Sequence, residues 1–218
     1  MRTWILGAAA ALALAAPAQA GVIISPTAIT ASTTFPGYDV DNLINQSGLT
    51  AGFVSGVTDF DAYMAGDPRH AWDLENEWFT TFNQPGAVLE MDLGAIFNVL
   101  TLALWTDEYW GAGAVTIATS TDGVSFADVG SGVPTDWATG PQDYPADVFA
   151  LTPSAARYVR LTLSDCPPPL SAPDGGCGLG EIAFEVTTVP EPATWGLMIM
   201  GFAALGLAAR RRRAPALA

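Results

Sequence analysis

The chain has 218 residues, half of them hydrophobic and 14% charged, with a formal net charge of −14. All eight basic residues are Arg, and only Arg69, Arg157 and Arg160 fall within residues 21–189, where 21 acids bring the charge to −18. With no Lys/Arg cluster to displace counterions, this stretch excludes nucleic acid and an anionic membrane surface as partners and leaves divalent cations and neutral glycans.

Met1–Ala20 predicts a secretory signal helix: Arg2 supplies a small basic start and Trp4–Ala16 an apolar stretch. Ala18-Gln19-Ala20 supplies the small-x-small cleavage pattern, which places the mature start near Gly21 and implies export by the Sec machinery.

Residues 21–188 are long enough for one domain with its own core. Leu89, Met91 and Leu93 alternate with Glu90 and Asp92; Leu100, Leu102 and Leu104 alternate with Thr101 and Ala103. The same period recurs at Val115 and Ile117, at Val159, Leu161 and Leu163, and at Ile182, Phe184 and Val186. Period-two runs of this kind predict half-buried antiparallel strands, each with one wet face. Asp122-Gly123 suits a tight turn that needs positive φ. No stretch sustains a helical period, so the predicted fold is an all-β sandwich of two sheets. Cys166 and Cys177 are the only cysteines, and the Pro- and Gly-rich loop between them predicts a structural disulfide in an oxidising compartment.

The order of these runs resembles the discoidin-like, or coagulation-factor type C, domains of the galactose-binding-like superfamily. The matching stretches are Ile29–Ser32, Asn42–Leu49, Leu89–Gly94, Thr119–Phe126, Arg157–Leu161 and Gly178–Phe184. The resemblance implies an antiparallel jelly-roll of about eight strands and a non-catalytic binding role, usually toward carbohydrate. It also implies a structural Ca²⁺ between an early loop and the Glu of the last strand. Glu181 matches that Glu, and Asp39, Asn42, Asn45 and Ser47 are the loop's candidate ligands. Asn45 stands where relatives often carry Asp, which lowers the charge a hard cation would meet. The alternative is that Glu181 caps a turn or pairs with Arg157 or Arg160.

Aromatic faces with a few polar groups in loops suit sugar rings. Trp105–Gly111 reads as a loop bearing Trp105, Asp107, Tyr109 and Trp110 as candidate ligand contacts, and Trp137 lies in a second irregular segment. The alternative is that these rings fill the core ends, as expected outright for Trp78 and Phe79.

After Val189 comes Pro190-Glu191-Pro192, then 17 apolar or small residues, Ala193–Ala209, then Arg210, Arg211, Arg212 and Arg213. Seventeen residues is the lower limit for crossing a hydrocarbon core of ~30 Å, and the Arg cluster should stay cytoplasmic. Residues 189–213 resemble the PEP-CTERM sorting signal of Gram-negative bacteria; residues 214–218 form a short tail. The resemblance implies an exosortase as partner, a transient transmembrane anchor, and a final place on the outer surface or in the extracellular matrix.

Catalysis is not expected. His70 has no nucleophile motif beside it, no Gly-x-Ser-x-Gly or phosphate loop occurs, and adjacent Asp107 and Glu108 would point to opposite faces of a strand. Two non-enzymatic roles remain, a module for a neutral glycan or exopolysaccharide and a structural matrix component. A glycan hydrolase is the lesser alternative.

Overall fold

The computed structural model describes residues 21–107, 110–135, 142–166, 176–189 and 200–203. The expected signal helix, Pro190–Pro192, most of the expected transmembrane helix, the four terminal Arg, Tyr109 and Trp137 lie outside the described residues. Among those described, no helix is long and apolar enough to cross a membrane.

Among the described residues ten strands form in chain order: β1 Val22–Ile24, β2 Ala28–Ala31, β3 Arg69–His70, β4 Trp78–Phe79, β5 Gly86–Thr106, β6 Ala114–Ser120, β7 Ala127–Gly132, β8 Tyr144–Pro145, β9 Asp147–Ser164 and β10 Gly178–Thr188. Eight of them are hydrogen-bonded into one antiparallel sheet, and β3 pairs with β8 apart from it. The large sheet folds into two layers because β5 and β9 each run through both. The first half of β5 pairs with β2 and with the end of β9, and its second half pairs with β10 and with the start of β9. The bend falls where the β5–β9 register breaks between Asp92 and Phe97. Gly94 turns there at φ +83°, with its N–H donating to Asp92 Oδ1 at 2.7 Å; a glycine relieves the left-handed strain.

Between the layers Leu89, Met91, Leu102, Leu104, Ile117, Leu161, Ile182 and Phe184 are 0–2% exposed. Alternation therefore identified the core face of these runs except at Leu100, which is half-buried while Val99 is fully buried where the register shifts between Val99 and Thr101. It misjudged the second half of β5, where Thr101, Ala103 and Trp105 on the opposite face are buried as well. That face is covered by the segment between β2 and β3, whose Phe53 and Phe60 form a second apolar cluster with Ile23, Trp105, Tyr144 and Ala183. One short helix occurs there, α1 Phe60–Met64, with Asp59 accepting the Ala62 N–H as its N-cap. Five residues are too few to leave a readable helical period.

The expected disulfide and tight turn are present. Cys166 and Cys177 are bonded with Cα atoms 5.0 Å apart. Their bridge is fastened to the segment after β4, since Cys177 N–H donates to Thr80 Oγ1 at 2.9 Å and Cys166 N–H to Pro85 O at 3.2 Å. The β6–β7 turn places Gly123 at φ +72°, and Asp122 Oδ1 accepts the N–H groups of Val124 and Ser125, both at 2.9 Å. These bonds and the Ser120 hydroxyl hold the Asp122 carboxyl down to about 2. Trp78 and Phe79 are core residues, 0% and 5% exposed.

Candidate functional site

The supposed sugar-binding loop after β5 is corrected in part. Trp105 and Thr106 still belong to the strand, and Trp105 is fully buried with its indole N–H donating to Pro68 O at 3.0 Å. Asp107 is 1% exposed and accepts the Trp110 N–H, so its carboxylate shapes the turn rather than facing a ligand. The physical reason is the second apolar cluster, which covers the outer face of β5 to its end. Trp110, by contrast, is only half-buried.

Trp110 belongs to a closed circuit of five rings. Its neighbours are Phe79 at 5.8 Å and Phe82 at 5.4 Å; Phe82 meets Phe35 at 4.6 Å, Phe35 meets Tyr38 at 5.6 Å, and Tyr38 returns to Phe79 at 5.0 Å. The rings meet tilted or edge to face, the arrangement their quadrupoles favour. Phe79 is the buried floor, Phe35, Tyr38 and Trp110 are half-buried walls, and Phe82 is 45% exposed. The circuit sits beside the disulfide, because Gly178 N–H, one residue past Cys177, donates to Trp110 O. Sequence reading missed Phe35, Tyr38 and Phe82. Their signal was only aromatic residues in turn-rich segments, at separations no period links.

The early loop and the last strand do meet as expected. Gln46 N–H donates to Glu181 Oε2 at 2.7 Å, and Glu181 Oε1 is buried with no hydrogen-bond partner. Gln46 stands at φ +63°, a strained position for a side-chain residue, and is held there because its Oε1 also accepts the Phe53 N–H at 2.9 Å. Burial pushes the Glu181 carboxyl up to about 8, against the opposing N–H bonds from Gln46 and Ile182. The alternative pairing of Glu181 with arginine does not occur, since Arg157 is bound to Asp92 and Arg160 to Glu90.

Three of the four loop side chains, Asp39, Asn42 and Asn45, have hydrogen-bond partners within the protein. Asp39 accepts the Asp41 N–H, and Asn42 Nδ2 donates to the carbonyls of Glu75 and Glu77 at 3.1 and 3.0 Å. Asn45 Nδ2 donates to Asn42 Oδ1 at 3.3 Å, while Asn45 Oδ1 accepts the Ser47 N–H. Among the described residues no three His, Cys, Asp or Glu side chains converge on a metal-sized point. A hard cation takes six to eight oxygens; Glu181 Oε1 is without a donor, while Asn42 Oδ1 and Asn45 Oδ1 already accept from Asn45 Nδ2 and the Ser47 N–H, bonds that a cation there would replace. Asp39 is committed to the loop's own backbone through the Asp41 N–H.

Beside Glu181 lies a buried polar group. His70 fills the space between Gly48 and Gly180, where a Cβ on either glycine would overlap its ring. Its Nδ1–H donates to Ala71 O at 2.8 Å, and Tyr144 O–H donates to Glu77 Oε1 at 2.8 Å. Burial lowers the His70 pKa to about 4, although the carbonyls of Ala71 and Asn76 and the charges of Asp73 and Asp143 oppose it. A neutral His70 has no nucleophile in hydrogen-bond contact, which agrees with a structural role.

A separate open groove of about 350 Å³ crosses the outer face of β2 and β5 beneath the β6–β7 turn. Glu90, Asp92, Phe126 and Tyr158 line it. Both acids are engaged, Asp92 with Arg157 at 2.9 and 2.8 Å and Glu90 with Arg160 at 2.7 Å, and Arg160 lies over the Phe126 ring at 3.8 Å.

The fold is an antiparallel sandwich similar to that of solved carbohydrate-binding modules. It superposes with TM-score 0.51 and 16% identity on the C-terminal domain of a chitobiase from Bacteroides fragilis, over 77% of this chain and 99% of that one. It superposes with TM-score 0.50 and 11% identity on CBM32-3 from a family 31 glycoside hydrolase of Clostridium perfringens, over 77% and 95%. A chitosan-binding module from a Paenibacillus chitosanase/glucanase matches at TM-score 0.46 and 19% identity, over 75% and 96%. Residues 188–213 match the PEP-CTERM protein-sorting motif, so the chain carries an export and sorting address directly after its sandwich. No curated protein matches the chain.

Proposed function

We propose that the sandwich is a non-catalytic carbohydrate-binding module, delivered by exosortase processing to the outer surface or extracellular matrix of a Gram-negative bacterium. The observation that carries this reading is the five-ring circuit beside the disulfide. Half-buried rings whose orientation is fixed by their neighbours present apolar surface at little entropic cost, which suits the C–H faces of a pyranose. The −18 charge of residues 21–189 favours a neutral saccharide such as an exopolysaccharide over an acidic one. The similar solved structures include modules described as binding chitosan or galactose-type sugars, which supports the class of ligand and not its identity.

A Ca²⁺ ion is part of the proposal. Glu181 Oε1, with Asn42 and Asn45 from the facing loop, would hold it. Bound there, the ion neutralises the buried carboxylate and fixes the loop that leads from Tyr38 toward β3. The sorting address supports an exosortase as processing partner, and the residues after Val189 as a transient membrane anchor.

A glycan array probed with the exported protein tests the reading. Discrete neutral-glycan hits are expected. Self-association without any glycan hit would favour the structural matrix role instead.

A further inference from the structure

The two ends of the sandwich leave it side by side. β1 pairs antiparallel with β10, Val22 opposite Val186 and Ile23 opposite Glu185. Gly21 therefore emerges beside Thr187 and Thr188, and Thr188 is both the last residue of β10 and the first of the matched sorting segment. β1 is an edge strand of three residues, short for holding a register on its own.

Glu185 stands against this corner. A Cβ on Gly21 would overlap the Glu185 carboxylate at Oε1, so the carboxylate lies directly against the Gly21 backbone. The other oxygen, Oε2, accepts the Thr101 hydroxyl, which orients the carboxylate from the β5 side. The three arginines of the sandwich are paired with Asp67, Asp92 and Glu90, and Glu185 has no cationic partner among the described residues. The carboxylate is half-buried, and Oε1 lies against Gly21, the residue that follows the signal pattern Ala18-Gln19-Ala20.

We propose that Glu185 is the seat of the α-ammonium group freed at Gly21 when the signal peptide is removed. Hydrolysis of the Ala20–Gly21 bond turns an uncharged amide nitrogen into a cation on the residue whose Cα lies against the Glu185 carboxylate. The resulting pair fastens β1 to β10 at the point where the sorting segment leaves the fold. The strand that presents the sorting motif is thus braced by the first processing step before the second one acts on it. The proposal rests on the reading of Met1–Ala20 as a removed signal.

The chain contains no Lys, so after signal removal the α-amine is its single amine. Protein exported with its own signal, solubilised in detergent where the tail remains, is first weighed intact to locate its N-terminus. Its α-amine is then labelled by ¹³C reductive methylation and titrated by NMR. A Gly21 start and a pKa at least about half a unit above the ordinary 7.7–8.0 are expected, falling into that range in Glu185→Gln. A mature start elsewhere overturns the signal reading and the proposal with it. A Gly21 start with an ordinary pKa, or a raised one unchanged by Glu185→Gln, overturns the proposal alone. If the variant does not accumulate, the wild-type titration decides.

Discussion

Glu181 on the last strand accepts the backbone N–H of Gln46 from the early loop, 135 residues away in sequence, at 2.7 Å. One buried carboxylate thereby joins the two ends of the domain, and its second oxygen has no donor. Such a group is stabilised by a proton or by a cation, because a buried bare charge is costly. If Ca²⁺ is the occupant, millimolar Ca²⁺ should raise Tm of the exported protein, and Glu181→Gln should remove the response. Glu181→Gln should also make the metal-free protein more stable than wild type at pH 8, since it deletes a buried charge. An unchanged wild-type Tm in calcium contradicts the site.

The pH dependence of the metal-free protein follows from two buried groups with opposite signs. Glu181 has a folded pKa near 8 against an ordinary 4.5, so the folded state holds the extra proton and stability falls as pH rises between those values. The full loss is roughly 5 kcal/mol at 1.36 kcal/mol per unit. His70 has a folded pKa near 4 against 6.5, so the unfolded state takes the proton first and stability falls as pH drops through that window. That loss is about 3 kcal/mol. Urea midpoints across pH 4–9 should therefore peak in the mildly acidic range without metal, and Ca²⁺ should selectively restore the alkaline side. A midpoint that rises steadily to pH 9 without metal contradicts the assignment of Glu181.

Removing the disulfide tests the wall of the candidate site. Cys166 and Cys177 close a short loop, 11 residues apart in sequence, whose ends are bonded to Thr80 and Pro85 beside Phe79 and Phe82. The double variant Cys166→Ala/Cys177→Ala should lower stability by about 3 kcal/mol, read from the urea midpoint. It should also weaken glycan binding, since Trp110 is hydrogen-bonded through Gly178 to the same turn.

Trp105 separates core from ligand surface. Trp105→Phe leaves the Pro68 carbonyl without its indole donor and should cost about 1–3 kcal/mol while leaving glycan affinity within twofold. Calorimetric titration of the folded variant checks it; a large loss of affinity would return Trp105 to the binding surface.

Much of the fold was legible because a half-buried strand writes its period into the chain. Leu89 and Met91, Leu161 and Leu163, and Ile182 and Phe184 all sit where alternation places them, 0–2% exposed. Trp105 was not legible, because the segment that buries its face folds onto β5 from more than 40 residues earlier, and alternation carries no record of a distant cover. The meeting of the early loop with Glu181 was legible, and the partners of the loop's side chains were not. Asn42 and Asn45 have the right chemistry, but their side-chain partners, including the Glu75 and Glu77 carbonyls, are set by tertiary packing. The five-ring circuit draws Phe35, Tyr38, Phe79, Phe82 and Trp110 from both sides of β5, so the sequence offered Trp110 as a ligand contact and Phe79 as core without linking them to each other or to Phe35, Tyr38 and Phe82.

The central claim is that this circuit binds a neutral saccharide. The most direct test is calorimetric titration of the strongest array glycan into wild type, Trp110→Ala and Tyr158→Ala, the last altering the separate groove on β2 and β5. Trp110→Ala, shown folded by an unchanged circular dichroism spectrum, should weaken binding at least about tenfold, the 1.4 kcal/mol that an aromatic–sugar contact of this size would carry, while Tyr158→Ala binds as wild type. Full affinity in Trp110→Ala would contradict the account, and loss in Tyr158→Ala alone would move the site to the groove.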